Sequence, residues 1–114
     1  LKKEMVKSIS ETEYSYNTMM KIYNKADKNR IIEQMDIAYG YFIEENIDVD
    51  FFYPILLIIG EKDHTGKVRK YNDEWAKDIR APLNIVPNAS HFSNGDNPSF
   101  VNKKIEEFVI ALTK

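Results

Sequence analysis

The chain has 114 residues, the length of one domain able to bury a core. Its 43% apolar and 30% charged content excludes a disordered class, and sixteen Lys and Arg against eighteen Asp and Glu leave no basic footprint for nucleic acid. It has no cysteine, which excludes a disulfide framework, a thiolate zinc site and a cysteine nucleophile.

The first residues, Leu1 to Ile9, read as a short helix or frayed lead-in with Met5, Val6 and Ile9 on one face. A start at Leu1 inside a Lys-rich helical pattern suggests a fragment or a processed product. Ser10-Glu11-Thr12-Glu13 has the S-x-x-E form of a capping box, so a helix is expected to begin there. Tyr16, Met19, Met20 and Tyr23 follow at helical spacing. Asn24 to Asn29 is polar and reads as a turn, with Asp27 as the cap of a longer helix. That helix carries Ile31, Ile32, Met35, Ala38, Tyr39 and Phe42 on its apolar side, tolerates Gly40, and ends at Glu44-Glu45-Asn46. Ile47 to Tyr53 then links a Tyr- and Met-rich helical part to a different pattern. The division expected is 1–53, a helical lid-like segment and linker, and 54–114, a sheet-building portion.

Pro54 opens the stretch on which the rest depends, P-I-L-L-I-I-G-E-K-D. The unbroken apolar run Ile55 to Ile59, bounded by Pro and Gly, predicts a strand buried on both faces of a parallel sheet. Val68, Tyr71, Trp75 and Ile79 mark a crossover helix with Tyr71 and Trp75 in packing roles, and Leu83 to Pro87 form a second strand. Asn97 followed by Pro98 reads as a cap and first-turn proline. The helix they open has an apolar stripe of Val101, Ile105, Phe108, Val109 and Leu112. The fold class is therefore α/β, strand-helix-strand-helix with parallel strands behind lid-like helices. Two strands alone leave sheet edges and apolar faces open, so the piece is expected to pair with a missing half or to self-associate as a homo-oligomer.

Each strand delivers one candidate side chain to the same sheet edge, Asp63 after the first and His91 after the second. Ligands and chemistry collect at the carboxyl edge of open parallel sheets. An Asp that orients a His through its Nδ1–H leaves Nε2 free to move protons for a nucleophile and a leaving group. The plainer reading makes Asp63 a turn cap and His91 a loop residue.

Together, P-I-L-L-I-I-G-E-K-D, I-V-P-N-A-S-H-F-S-N-G-D-N-P and the closing amphipathic helix resemble the C-terminal part of an α/β-hydrolase. The resemblance covers Pro54 to Leu112; the segment before it is loosely similar to the lid that many members insert. It implies Asp63 as triad acid and His91 as general base, an ester or acyl substrate of small-molecule size, an acyl-enzyme, and no metal or other cofactor. Esterases, lipases, peptidases, acyltransferases and dehalogenases share this strand-end pair, so the substrate stays open.

The nucleophile elbow of that family, G-x-S-x-G, is absent: Gly40, Gly60, Gly66 and Gly95 include no pair four apart. Ser90 adjoins His91 and diverges from it, and nothing sets an oxyanion hole beside Ser93. The serine and the oxyanion amides are thus expected from an N-terminal half of the same protein. Three lesser readings are weaker. His64, His91 and Asp96 can be drawn as a metal site but match no ligand spacing. Gly60 to Lys67 lacks the form of a phosphate loop, and Val68 stands where a hydroxyl is required. The aromatic runs Tyr39-Gly40-Tyr41-Phe42 and Phe51-Phe52-Tyr53 either line an acyl pocket or pack the lid onto the core. Lys2-Lys3 and Lys103-Lys104 are solvated charges. A non-catalytic, truncated module acting by self-association or partner binding is the competing reading. No stretch reaches the roughly 18 apolar residues of a membrane helix and no signal peptide is visible, so a cytoplasmic location is the expectation, and Lys, Asn, Ile and Tyr abundance suggests a bacterial source.

Overall fold

The computed structural model describes residues 2–44 and 49–114. Leu1, the expected helix end at Glu45-Asn46 and the start of the linker at Ile47 lie outside the described residues.

Two antiparallel helices open the chain, α1 (Lys2–Ile9) and α2 (Glu13–Lys25). Val6 is fully buried, and Lys2 Nζ donates to the Ala26 carbonyl 3.0 Å away, tying the open end of the hairpin. The cap of α2 is not where the sequence pattern put it. Thr12, in extended backbone, accepts the Ser15 N–H on Oγ1 at 3.2 Å, so Glu13 is the first helical residue and not the fourth residue of a capping box opened by Ser10. The Glu11 and Thr12 N–H groups that precede the helix are both taken by the distant Asp96 carboxylate.

After the tight turn at Ala26-Asp27 comes α3 (Lys28–Glu44). The helical period is correct, but its apolar side is not covered. No residue of α3 is buried; Ile31 is half-buried, while Ile32, Met35, Tyr39 and Phe42 are exposed.

Strands β1 (Leu57–Gly60) and β2 (Leu83–Val86) pair in parallel with Leu57 opposite Leu83 and Gly60 opposite Val86. Between them runs α4 (Val68–Asp78). After β2 come a single helical turn that the sequence reading did not anticipate, α5 (Ser93–Asp96), and the closing α6 (Pro98–Leu112). At this level the chain is a mixed helical structure around a small parallel sheet, compatible with α/β.

Strand alternation puts Ile58 and Val86 on one face, where they pack with Ala89, Phe100 and Val101. Leu57 and Ile59 are buried on the other. Pro54 is exposed and Ile55 and Leu56 are half-buried, so only the last part of the apolar run is strand. Inward positions of α4 are Val68, Asn72 and Ala76, with Ile79 at its C-cap; Tyr71 and Trp75 are exposed and take no part in the core. Trp75 instead meets Phe51, ring centres 6.1 Å apart, and Phe51 meets Tyr53 at 5.3 Å.

The Asn97–Pro98 start of α6 is as expected: Asn97 Oδ1 accepts the Phe100 N–H, and its Nδ2 reaches back to the Pro87 carbonyl. Its stripe is only partly used. Val101 is buried and Phe108 half-buried, whereas Ile105, Val109 and Leu112 are exposed. Among the described residues no helix is long and apolar enough to cross a membrane.

Candidate active site

The end of β1 turns sharply. The Asp63 N–H donates to the Gly60 carbonyl at 3.1 Å, a four-residue turn. The turn is bound to the end of β2 by Glu61 N–H to the Val86 carbonyl at 2.9 Å and to the loop after it by Lys62 N–H to the Ala89 carbonyl at 2.8 Å. Gly60 makes this approach possible, since a Cβ there would stand 2.1 Å from the Ser90 carbonyl oxygen and 2.5 Å from that of Ala89. Across from it, Asn88 takes a left-handed conformation (φ 53°) that redirects the chain out of β2, a role Asn tolerates better than most residues.

These constraints bring Asp63 and His91 side by side. Asp63 Oδ2 lies 2.9 Å from His91 Nδ1, and its Oδ1 accepts the Thr65 N–H at 3.0 Å. The Asp63 side chain is 4% exposed, that of His91 46%. Burial by itself raises the carboxyl's pKa. The hydrogen bonds from His91 and from Thr65, with the imidazole's charge, outweigh that and hold it below its ordinary value. An ionised Asp63 requires an N–H on His91 Nδ1, so Nε2 is the ring atom available for proton traffic.

A second carboxylate braces the same loop. Asp96 Oδ2 accepts the Ser90 N–H at 2.9 Å, and Oδ1 accepts the N–H groups of Glu11 and Thr12 at 2.9 and 3.0 Å. Its pKa is also lowered: burial raises it, and the Ser15 hydroxyl together with the Ser90, Glu11 and Thr12 N–H groups more than offset this. Phe92 N–H donates to the Ile9 carbonyl, Ser90 Oγ to the Ser8 carbonyl, and Lys62 pairs with Glu11 at 2.8 Å. The α1–α2 junction is thereby fastened to the loop that carries His91.

The other candidates do not converge here. Ser90 is buried with its hydroxyl committed to Ser8, and His64 is exposed. The grouping of His64, His91 and Asp96 as metal ligands is not assembled; Asp96 is occupied by N–H groups, and no metal-binding cluster occurs among the described residues. Tyr39, Tyr41, Phe42, Phe52 and Tyr53 are exposed. A concavity of about 380 Å³ between α2 and α3, lined by Ile22, Arg30 and Ile31 among others, includes neither Asp63 nor His91.

What the sequence reading missed is the bracing: Asp96 meets residues 84 and 85 positions away, and nothing local in Ser8–Thr12 signals it.

Because Asp63 and Asp96 both have lowered folded-state pKa values, the unfolded chain binds more protons in acid. Their stabilisation is complete above the unfolded value of about 3.9 and is lost as pH falls through the folded values. The melting midpoint should therefore drop steeply below about pH 4, and Asp63→Asn should flatten part of that descent. An equally steep descent in the variant would count against the carboxylate's assigned environment.

Comparison of the chain with protein-family models, curated proteins and solved structures finds no match.

Proposed function

We propose that this chain is the C-terminal portion of a serine α/β-hydrolase and supplies the acid and base of its triad. The observation that supports the reading is the 2.9 Å contact between buried Asp63 and half-exposed His91 at the carboxyl ends of two parallel strands. Asp63 holds the imidazole in the tautomer with its proton on Nδ1 and stabilises the imidazolium formed when Nε2 accepts a proton. His91 takes that proton from a serine outside this chain as the serine attacks an ester or acyl carbonyl. It then gives the proton to the leaving group, and the second half-reaction repeats the cycle with water. The serine adjoining His91 is a poor nucleophile, because Ser90 is buried with its hydroxyl turned to the Ser8 carbonyl.

Intact mass under denaturing conditions, after treating the parent protein with a fluorophosphonate, tests this. The label should appear on a segment other than these 114 residues. Label on Ser90 or Ser93 would defeat the division of labour, and no label anywhere would defeat the serine-hydrolase reading. The exposed apolar residues of α3 and α6 and, among the described residues, a sheet of two strands favour a second reading, a non-catalytic module that self-associates or binds a partner. A chain that is unlabelled, lacks a labelled companion and runs as a dimer would support that reading instead.

A further inference from the structure

We propose that Asp96 is the positioning residue for His91, acting through the backbone beside the imidazole. The inference rests on the reading of Asp63 and His91 as acid and base. Half of the His91 side chain is open to solvent, and its one hydrogen bond among the described residues is to Asp63. The direction of the ring therefore depends on how firmly residues 90 and 92 are held. The local turn of α5 contributes, with the Phe92 carbonyl accepting the Gly95 and Asp96 N–H groups and the Ser93 carbonyl that of Asn97. Besides that turn, four contacts hold them or their immediate neighbours: Ser90 N–H to Asp96, Ser90 Oγ to Ser8, Phe92 N–H to Ile9, and the Ala89 carbonyl to Lys62 N–H.

Two of those four lead into Ser8–Ile9, and that segment is itself anchored by Asp96 through Glu11 and Thr12. Asp96 Oδ1 also lies 3.3 Å from the Thr12 hydroxyl, where α2 begins. Negative charge is favoured at that helix end. One carboxylate thus binds both sides of the interface, with Oδ2 on the His91 loop and Oδ1 on the α1–α2 junction. Only an ionised carboxylate accepts on both oxygens at once. An amide has one accepting atom and must present its NH₂ to N–H donors on the other side.

The test uses the 114-residue chain with ¹⁵N-labelled histidine and reads the proton on His91 Nδ1 by NMR. In the wild type that proton should be visible and slow to exchange. Asp96→Asn should lose it while the amides of Ile59 and Val86 keep their protection, which shows the sheet intact. Lys62→Ala, which removes the neighbouring ion pair without touching Ser90, should keep it. An Asp96→Asn chain that retains a slow Nδ1 proton would overturn the positioning role alone. A wild type without that proton would instead overturn the acid–base reading beneath it. If Asp96→Asn fails to fold, hydrogen exchange on the wild type decides. Ser90, Glu11 and Thr12 amides should be protected together, and a Ser90 amide exchanging at the unstructured rate would overturn the clamp.

Discussion

On the proposed acid–base reading, His91→Ala in a protein that also carries the nucleophile is expected to abolish nearly all hydrolytic turnover, a fall of about 10⁴-fold or more. The expectation follows from geometry: among the described residues His91 is the one imidazole partnered by a buried carboxylate, with Nδ1 2.9 Å from Asp63. Alanine removes both proton transfers and leaves Asp63 ionised and short of one donor. Substrate binding should change little, because the loss falls on steps in which the imidazole gains or gives a proton. His64→Ala is the matched control. His64 is adjacent to Asp63 in sequence but exposed, so its removal should leave the rate within about two-fold, as for surface substitutions generally. Steady-state rates on a short-chain ester would read both variants. Turnover retained by His91→Ala would end the triad assignment.

Gly60→Ala is expected to cost about 3 kcal/mol of stability, the upper part of the usual range for overpacking. A methyl group at this position would meet two carbonyl oxygens of the 89–90 backbone inside contact distance, and backbone cannot rotate aside as a side chain can. Either β1 and the His91 loop separate, breaking the Lys62–Ala89 hydrogen bond, or the turn that presents Asp63 is rebuilt. Both outcomes also part Asp63 from His91. A fall in melting midpoint of roughly 10 °C or more should accompany the change. Gly40→Ala should act in the opposite sense, raising stability by up to about 1 kcal/mol, because that glycine lies within α3 with no atom near its missing Cβ. Equal effects from the two substitutions would show that the close approach at Gly60 does not matter.

The different fates of the apolar patterns share one cause. Periodicity reports which residues of a helix lie on one side, not whether anything covers that side. Hence α3 and the later turns of α6 form where expected yet leave Ile32, Phe42, Ile105 and Val109 exposed. In α4 the stripe is rotated, with the small Asn72 and Ala76 inward and Tyr71 and Trp75 outward. The cap of α2 is a different case: Ser10 offers a good local motif, yet Thr12 caps the helix through the Ser15 N–H while its own N–H goes to the distant Asp96.

By itself the sequence determined the elements that local chemistry controls. Gly60 after an apolar run, Asn97 before Pro98 and the paired strand ends carrying Asp63 and His91 are all signals within a few residues, and all correspond to observed elements. Tertiary structure alone decided the bracing of the site: how near Gly60 comes to Ala89 and Ser90, and that Asp96 joins the start of α2 to the His91 loop. Those contacts span distant stretches of chain. Their partners are backbone N–H and carbonyl groups, which every residue but proline carries in the same form, so no spacing of side chains could announce them.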